Sequence, residues 1–204
     1  MFTGIVANKF PVVEIHDSEQ LRRTVVELTS DMVKGLKIGA SVSNNGVCLT
    51  VVKIDGVKVH FDIIDETLRL TNLGELQVGH LVNIERAAAY GDEIGGHVVS
   101  GHICDTAEIV SISKTDTNTA ITLKVADKWT KYLMPKGFVS LNGCSLTIGE
   151  KVENGHFSIH LIPETLAVTT FGDAREGDKI NLEIDPSTQT IVDTVERYLS
   201  NKNV

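Results

Sequence analysis

Residues Asn45 to Val51 read NGVCLTV, and Asn142 to Ile148 read NGCSLTI, 97 positions later. An Asn-Gly pair ahead of an apolar run is a strong short-range signal of a tight β-hairpin, because both residues accept positive φ. The likeness spreads outward from the hairpin. The same offset carries Thr3-Gly4 onto Ser100-Gly101, and Val26-Glu27-Leu28 onto Leu123-Lys124-Val125. After Lys151 the offset grows by one residue. Glu66-Thr67-Leu68 then falls on Glu164-Thr165-Leu166, Leu73-Gly74 on Phe171-Gly172, and Asn83-Ile84-Glu85 on Asn181-Leu182-Glu183. Order kept over so many short matches identifies a tandem duplication, each copy a small domain of just under a hundred residues.

The 204 residues suffice for two such domains, and 42% apolar content is ordinary for a globular chain. A net charge of −8 with no basic block argues against nucleic acid or an anionic membrane as partner. The start, MFTGIVANKF, lacks the apolar core of a signal peptide, and no run is long enough to span a membrane. Cys48, Cys104 and Cys144 have no paired spacing and read as thiols of a reducing cytoplasm. His97 and His102 lie five apart, which places them on one face of neither a strand nor a helix, so a zinc site is not expected. There is no GxGxxG and no P-loop to hold a nucleotide.

Alternating runs such as Val57 to Ile63 and Phe157 to Leu161 predict half-buried strands. About six short strands per copy, with turn signals roughly every ten residues, predict a small closed antiparallel barrel. Ser30 to Leu36 and Asp127 to Met134 predict short helices at equivalent places. The segment Ala87 to His97 is the best boundary. The run from Ser187 to Ser200 has no copy in the first half. It sets Ile191, Val192, Val195, Tyr198 and Leu199 on one helical stripe. Burying all five is worth about 7–15 kcal/mol before entropy, either against its own barrel or against another copy of the chain.

Two copies of one fold imply two similar pockets, and divergence between them marks divided labour. His102 stands where the first copy has Ile5, Ser145 where it has Cys48, Lys136 where it has Gly39, and Asp185 where it has Ala87. A base, a hydroxyl, a cation and a carboxylate suffice for proton-transfer chemistry. Taken singly, each has an ordinary role: a satisfied histidine, a hydroxyl on a turn, an exposed lysine, a helix cap.

MFTGIV, NGVCLTV, ERAAAYGDEIGGHVVSGH, NGCSLTI, LIPETL and EIDPSTQTIVDTVERYL together resemble the riboflavin synthases of the α-chain type, over Met1 to about Leu199. The resemblance implies an all-β fold: tandem, pseudo-symmetric six-stranded antiparallel β-barrels plus a C-terminal α-helix. It implies lumazine-binding barrels over 1–97 and 98–186, and an oligomerisation helix over 187–204 that gathers three chains. The implied reaction joins two molecules of 6,7-dimethyl-8-ribityllumazine. A four-carbon unit passes between them to give riboflavin and 5-amino-6-ribitylamino-uracil, with no cofactor and no metal.

The resemblance also implies the site. One pocket is expected from Gly4, Ile5 and Val6, from Cys48, Leu49 and Thr50, and from the run Asp62, Ile63, Ile64, Asp65, Glu66 and Thr67. The other is expected from Gly101, His102 and Ile103, from Lys136, from Ser145, Leu146 and Thr147, and from the run Leu161, Ile162, Pro163, Glu164, Thr165 and Leu166. His102 is expected to handle the methyl proton. Ser145 and Cys48 face the reacting rings, Asp185 assists proton transfer, and Lys136 favours anionic ring oxygen. Val47 replaces a second cysteine of relatives. Cys144 points away from Ser145 and has no expected role. The alternative is a non-catalytic antenna or storage protein for lumazine or flavin. The polar set of the second half speaks against it.

Overall fold

The computed structural model describes residues 1–202. Twelve strands form two closed barrels. The first holds β1 (Asn8–Ser18), β2 (Leu21–Glu27), β3 (Ser41–Asn44), β4 (Val47–Asp55), β5 (Lys58–Ile64) and β6 (Leu81–Arg86). The second holds β7 (Asp105–Lys114), β8 (Thr119–Lys124), β9 (Phe138–Leu141), β10 (Cys144–Glu153), β11 (His156–Leu161) and β12 (Lys179–Ile184). The circular strand order is the same in both, every pairing is antiparallel, and the expected fold is observed. Even the irregularities repeat. The β1–β2 register breaks between Val12 and Glu14, and the β7–β8 register at the equivalent Ile109 and Ser111. Such bulges bend a strand sharply enough to close a small barrel.

Among the described residues five α-helices punctuate the barrels: α1 (Ser30–Val33), α2 (Asp65–Leu70), α3 (Asp127–Thr130), α4 (Pro163–Val168) and α5 (Pro186–Lys202). Helices α1 and α3 are single turns, shorter than the sequence patterns suggest; positive φ at Gly35 lies just beyond α1.

The duplicated hairpin turns sit back to back. Asn45-Gly46 and Asn142-Gly143 all have positive φ, as the Asn-Gly pattern requires. A Cβ on Gly46 would lie 2.6 Å from the Gly143 nitrogen, and one on Gly143 would lie 2.9 Å from the Gly46 nitrogen. Glycine is therefore needed twice over, for conformation and for contact. Around this axis Asn83 donates through Nδ2 to the Asn142 carbonyl at 2.9 Å, and Asn181 to the Asn45 carbonyl at 2.8 Å. All four asparagines are buried, and these bonds join the halves.

The segments ahead of each barrel are exchanged. Phe2 and Val99 pair in an isolated antiparallel bridge. The chain then diverges, so that Val6 enters the core of the second barrel and Ile103 the core of the first.

Candidate active site

The exchange redistributes the expected pocket residues. The Ser145 amide donates to the Gly4 carbonyl at 2.8 Å, and the Cys48 amide to the Gly101 carbonyl at 2.9 Å. A Cβ on Gly4 would lie 2.5 Å from that of Ser145, and one on Gly101 would lie 2.5 Å from that of Cys48. Gly4, Ile5 and Val6 thus belong with Ser145, Leu146 and Thr147, not with Cys48. Gly101, His102 and Ile103 belong with Cys48, Leu49 and Thr50, not with Ser145. The resemblance had implied the opposite grouping.

Each exchanged segment is anchored by a buried carboxylate. Glu85 accepts from the Thr3 amide and hydroxyl at 2.6 and 2.8 Å and from the Gly4 amide at 3.1 Å. Glu183 does the same for the Ser100 amide and hydroxyl, both at 2.7 Å, and the Gly101 amide at 3.0 Å. Burial pushes both carboxyls above the usual range, and the donated hydrogen bonds pull them back. The motif that found Asn83-Ile84-Glu85 as a repeat had already found this clamp without giving it a role.

In the first-barrel pocket, Cys48 is half-buried and Thr50 exposed on β4, beside β5 and the following α2. His102 is exposed, and its amide is held by the Ser100 hydroxyl at 3.2 Å. Ile64, Asp65 and Glu66 are exposed and Thr67 half-buried. Asp62 is engaged elsewhere. Arg23 grips it through two bonds of 2.6 and 2.8 Å, and this guanidinium holds its carboxyl below the ordinary range.

In the second-barrel pocket, Ser145 is half-buried and Thr147 exposed on β10, beside Phe138. The Ser145 hydroxyl lies 2.6 Å from Nδ1 of His97, which sequence reasoning had weighed only as a metal ligand. The Asp185 carboxylate acts on the same imidazole, opposing the burial that holds its pKa below the ordinary value. Asp185 also caps α5, accepting from the Thr188 amide and hydroxyl at 2.8 and 2.7 Å. Lys136 is exposed, adopts φ +64 where Gly39 has φ +88, and its ammonium lies 3.4 Å from Glu150. Ile162, Pro163 and Glu164 are exposed at the mouth, with Thr165 and Leu166 half-buried behind them and Leu161 buried at the base.

The polar four therefore divide. Ser145 meets His97, Asp185 caps α5, Lys136 pairs with Glu150, and His102 stands with Cys48. Cys144 points into the second core, where burial pushes its thiol far up; Cys104 is pushed up to about 11. Neither supplies a thiolate near neutral pH. Two hollows of about 390 and 570 Å³ lie between the halves and are lined by none of the expected site residues. The candidate pockets themselves are open, with Ile5 51% and Ile162 61% exposed.

The Lumazine binding domain family matches the chain twice, over residues 3–87 and 100–185. The chain is 52% identical over 201 residues to the riboflavin synthase of Escherichia coli (strain K12), covering 98% of this chain and 94% of that one. The chain belongs to the riboflavin synthase family. The family resemblance read from the motifs thus stands. Among solved structures, LumP complexed with riboflavin superposes with a TM-score of 0.85 at 26% identity, over 91% of this chain and 100% of that one. LumP complexed with 6,7-dimethyl-8-(1'-D-ribityl) lumazine superposes at 0.82 and 25%, over 91% and 99%. The riboflavin synthase match is the tighter in sequence; the LumP matches show the same duplicated barrel in a ligand-binding protein.

Proposed function

We propose that this member of the riboflavin synthase family divides its reaction between the two exchanged pockets, each holding one 6,7-dimethyl-8-ribityllumazine. The chain is a transferase. It makes riboflavin by moving a four-carbon unit from one lumazine to the other, and it releases 5-amino-6-ribitylamino-uracil. The kinship to riboflavin synthase over nearly the whole chain carries this reading. The exchanged glycine contacts explain its economy: each pocket is built from both halves, so duplication yields two near-identical seats for two identical substrates. Holding them face to face removes much of the entropic barrier, since effective molarities reach about 10⁵–10⁸ M for well-oriented pairs.

In the first-barrel pocket His102 takes the proton from the ring methyl of its lumazine, and Cys48 donates a hydrogen bond to the ring. The methyl anion delocalises into the electron-poor ring, so a base near neutrality serves. In the second pocket Ser145 donates to the other lumazine, Asp185 assists through the field it exerts, and Lys136 favours anionic ring oxygen. Thr50, Thr67, Thr147 and Thr165 hold ribityl hydroxyls.

The working unit is a homotrimer, with one chain's first pocket facing a neighbour's second. Open pocket mouths support this, and so does α5. That helix turns Val192 onto the second barrel and is tied down by Tyr132 to Asp193 at 2.5 Å. It leaves Ile191, Val195, Tyr198 and Leu199 between 50% and 64% exposed. Three free thiols agree with a cytoplasmic setting. Among the described residues no helix is long and apolar enough to cross a membrane.

The test is turnover of 6,7-dimethyl-8-ribityllumazine alone, without metal or nucleotide. One riboflavin per two lumazines consumed is expected. Tight binding without turnover would favour the antenna or storage reading that the LumP likeness raises.

A further inference from the structure

His97 lies outside both matched copies, residues 3–87 and 100–185. The residue is 8% exposed, and its ring lies nearly parallel to Phe138, with centroids 5.1 Å apart and planes 17° apart. The preceding Gly96 is pressed onto the same place: a Cβ there would lie 2.6 Å from the Ser145 Cβ and 2.4 Å from the Thr3 carbonyl oxygen. Ser145 is thus held at three points. Gly4 takes its amide, Gly96 walls its Cβ, and His97 meets its hydroxyl. Cys48, its twin, has only the first of these, the amide bond to Gly101.

The tautomer follows from the other nitrogen. Among the described residues Nε2 of His97 is buried without a hydrogen-bond partner. With the proton on Nδ1, that nitrogen is a bare acceptor rather than an orphaned donor. His97 then donates to the Ser145 oxygen. With a lone pair occupied, the serine turns its own O–H away from the imidazole and into the pocket.

We propose that His97 is a positioning residue: it fixes Ser145 as a directed hydrogen-bond donor toward the lumazine in the second-barrel pocket. A donor set in advance costs no reorganisation when negative charge develops on the ring, which is where such donors act most strongly. This rests on the assignment of Ser145 to the lumazine pocket.

The test compares His97→Ala, His97→Asn, Ser145→Ala and the double variant His97→Ala with Ser145→Ala, as full chains. Asn can put an N–H where Nδ1–H stood. Expected are a fall in kcat of about tenfold or more for His97→Ala with KM changed by less than about threefold. His97→Asn should recover most of that loss. In the Ser145→Ala background the His97→Ala change should cost no further turnover. If the two losses multiply, or if His97→Asn falls as far as His97→Ala, the positioning role is overturned and His97 is a packing residue. If Ser145→Ala turns over like the wild type, the assignment of Ser145 to the reaction fails instead.

Discussion

Gly4 and Ser145, 141 positions apart in the chain, are joined by a 2.8 Å hydrogen bond that leaves no room for a Cβ on the glycine. Gly101 and Cys48 repeat the relation at 2.9 Å. Each candidate pocket therefore joins residues of both halves.

Replacing Gly4 by alanine sets a Cβ 2.5 Å from that of Ser145, at a φ of +75 that alanine resists. The left-handed conformation alone costs about 1–2 kcal/mol. Urea unfolding should show at least that loss, and turnover should fall by more than stability explains, because Ser145 is displaced. Gly101→Ala should behave alike through Cys48. Wild-type turnover in Gly4→Ala would dissociate this contact from the site.

Asn83 donates to the Asn142 carbonyl and accepts from the Thr170 amide at 2.7 Å, while Asn181 mirrors it with Asn45 and the Asn72 amide. Asn83→Ala leaves buried groups of the other half unpartnered, at about 1–3 kcal/mol each. Denaturant curves should shift by about 2–6 kcal/mol on that principle. Unchanged midpoints would mean that apolar contact, not this network, joins the barrels.

His102→Gln should lower turnover far more than lumazine affinity, since the methyl proton loses its acceptor. Equal losses in kcat and affinity would remove His102 as the base. Cys48→Ser should be mild if the thiol only donates a hydrogen bond; inactivation would point to thiolate chemistry.

Burial holds the His97 pKa below its ordinary 6.5. Between the folded value and 6.5 the unfolded chain binds more protons than the folded one. The neutral imidazole's contribution to stability is thus complete above about 6.5 and is lost as pH falls through the depressed folded value. The stability of the wild type relative to His97→Asn should therefore shrink between pH 7 and 5, measured by urea unfolding. The raised Glu85 and Glu183 titrate in both proteins and cancel in the difference. A constant difference across this range would show that His97 stays accessible to protons.

Charging the α5 stripe, as in Ile191→Lys with Leu199→Glu, should yield a smaller particle in sedimentation and lose turnover with it. Val192 is untouched, so the fold should persist by circular dichroism. A particle of unchanged size would rule out α5 as the association surface.

The duplication, the barrel and the family were all legible in the residues alone. Those rest on local chemistry repeated in order: Asn-Gly turns that need positive φ, alternation that buries one strand face, Pro and Gly at element ends. The terminal stripe was legible too, though only the fold separated Val192, which packs inward, from its four exposed neighbours. Tertiary structure alone decided how the pockets are composed. Strand patterns state which residues face a core but not which of two similar cores, so the crossing of Val6 and Ile103 left no periodic trace. The same holds for His97. A histidine outside the repeat has no twin to contrast with, and its meaning appears only when Phe138, Gly96 and Ser145 close around it.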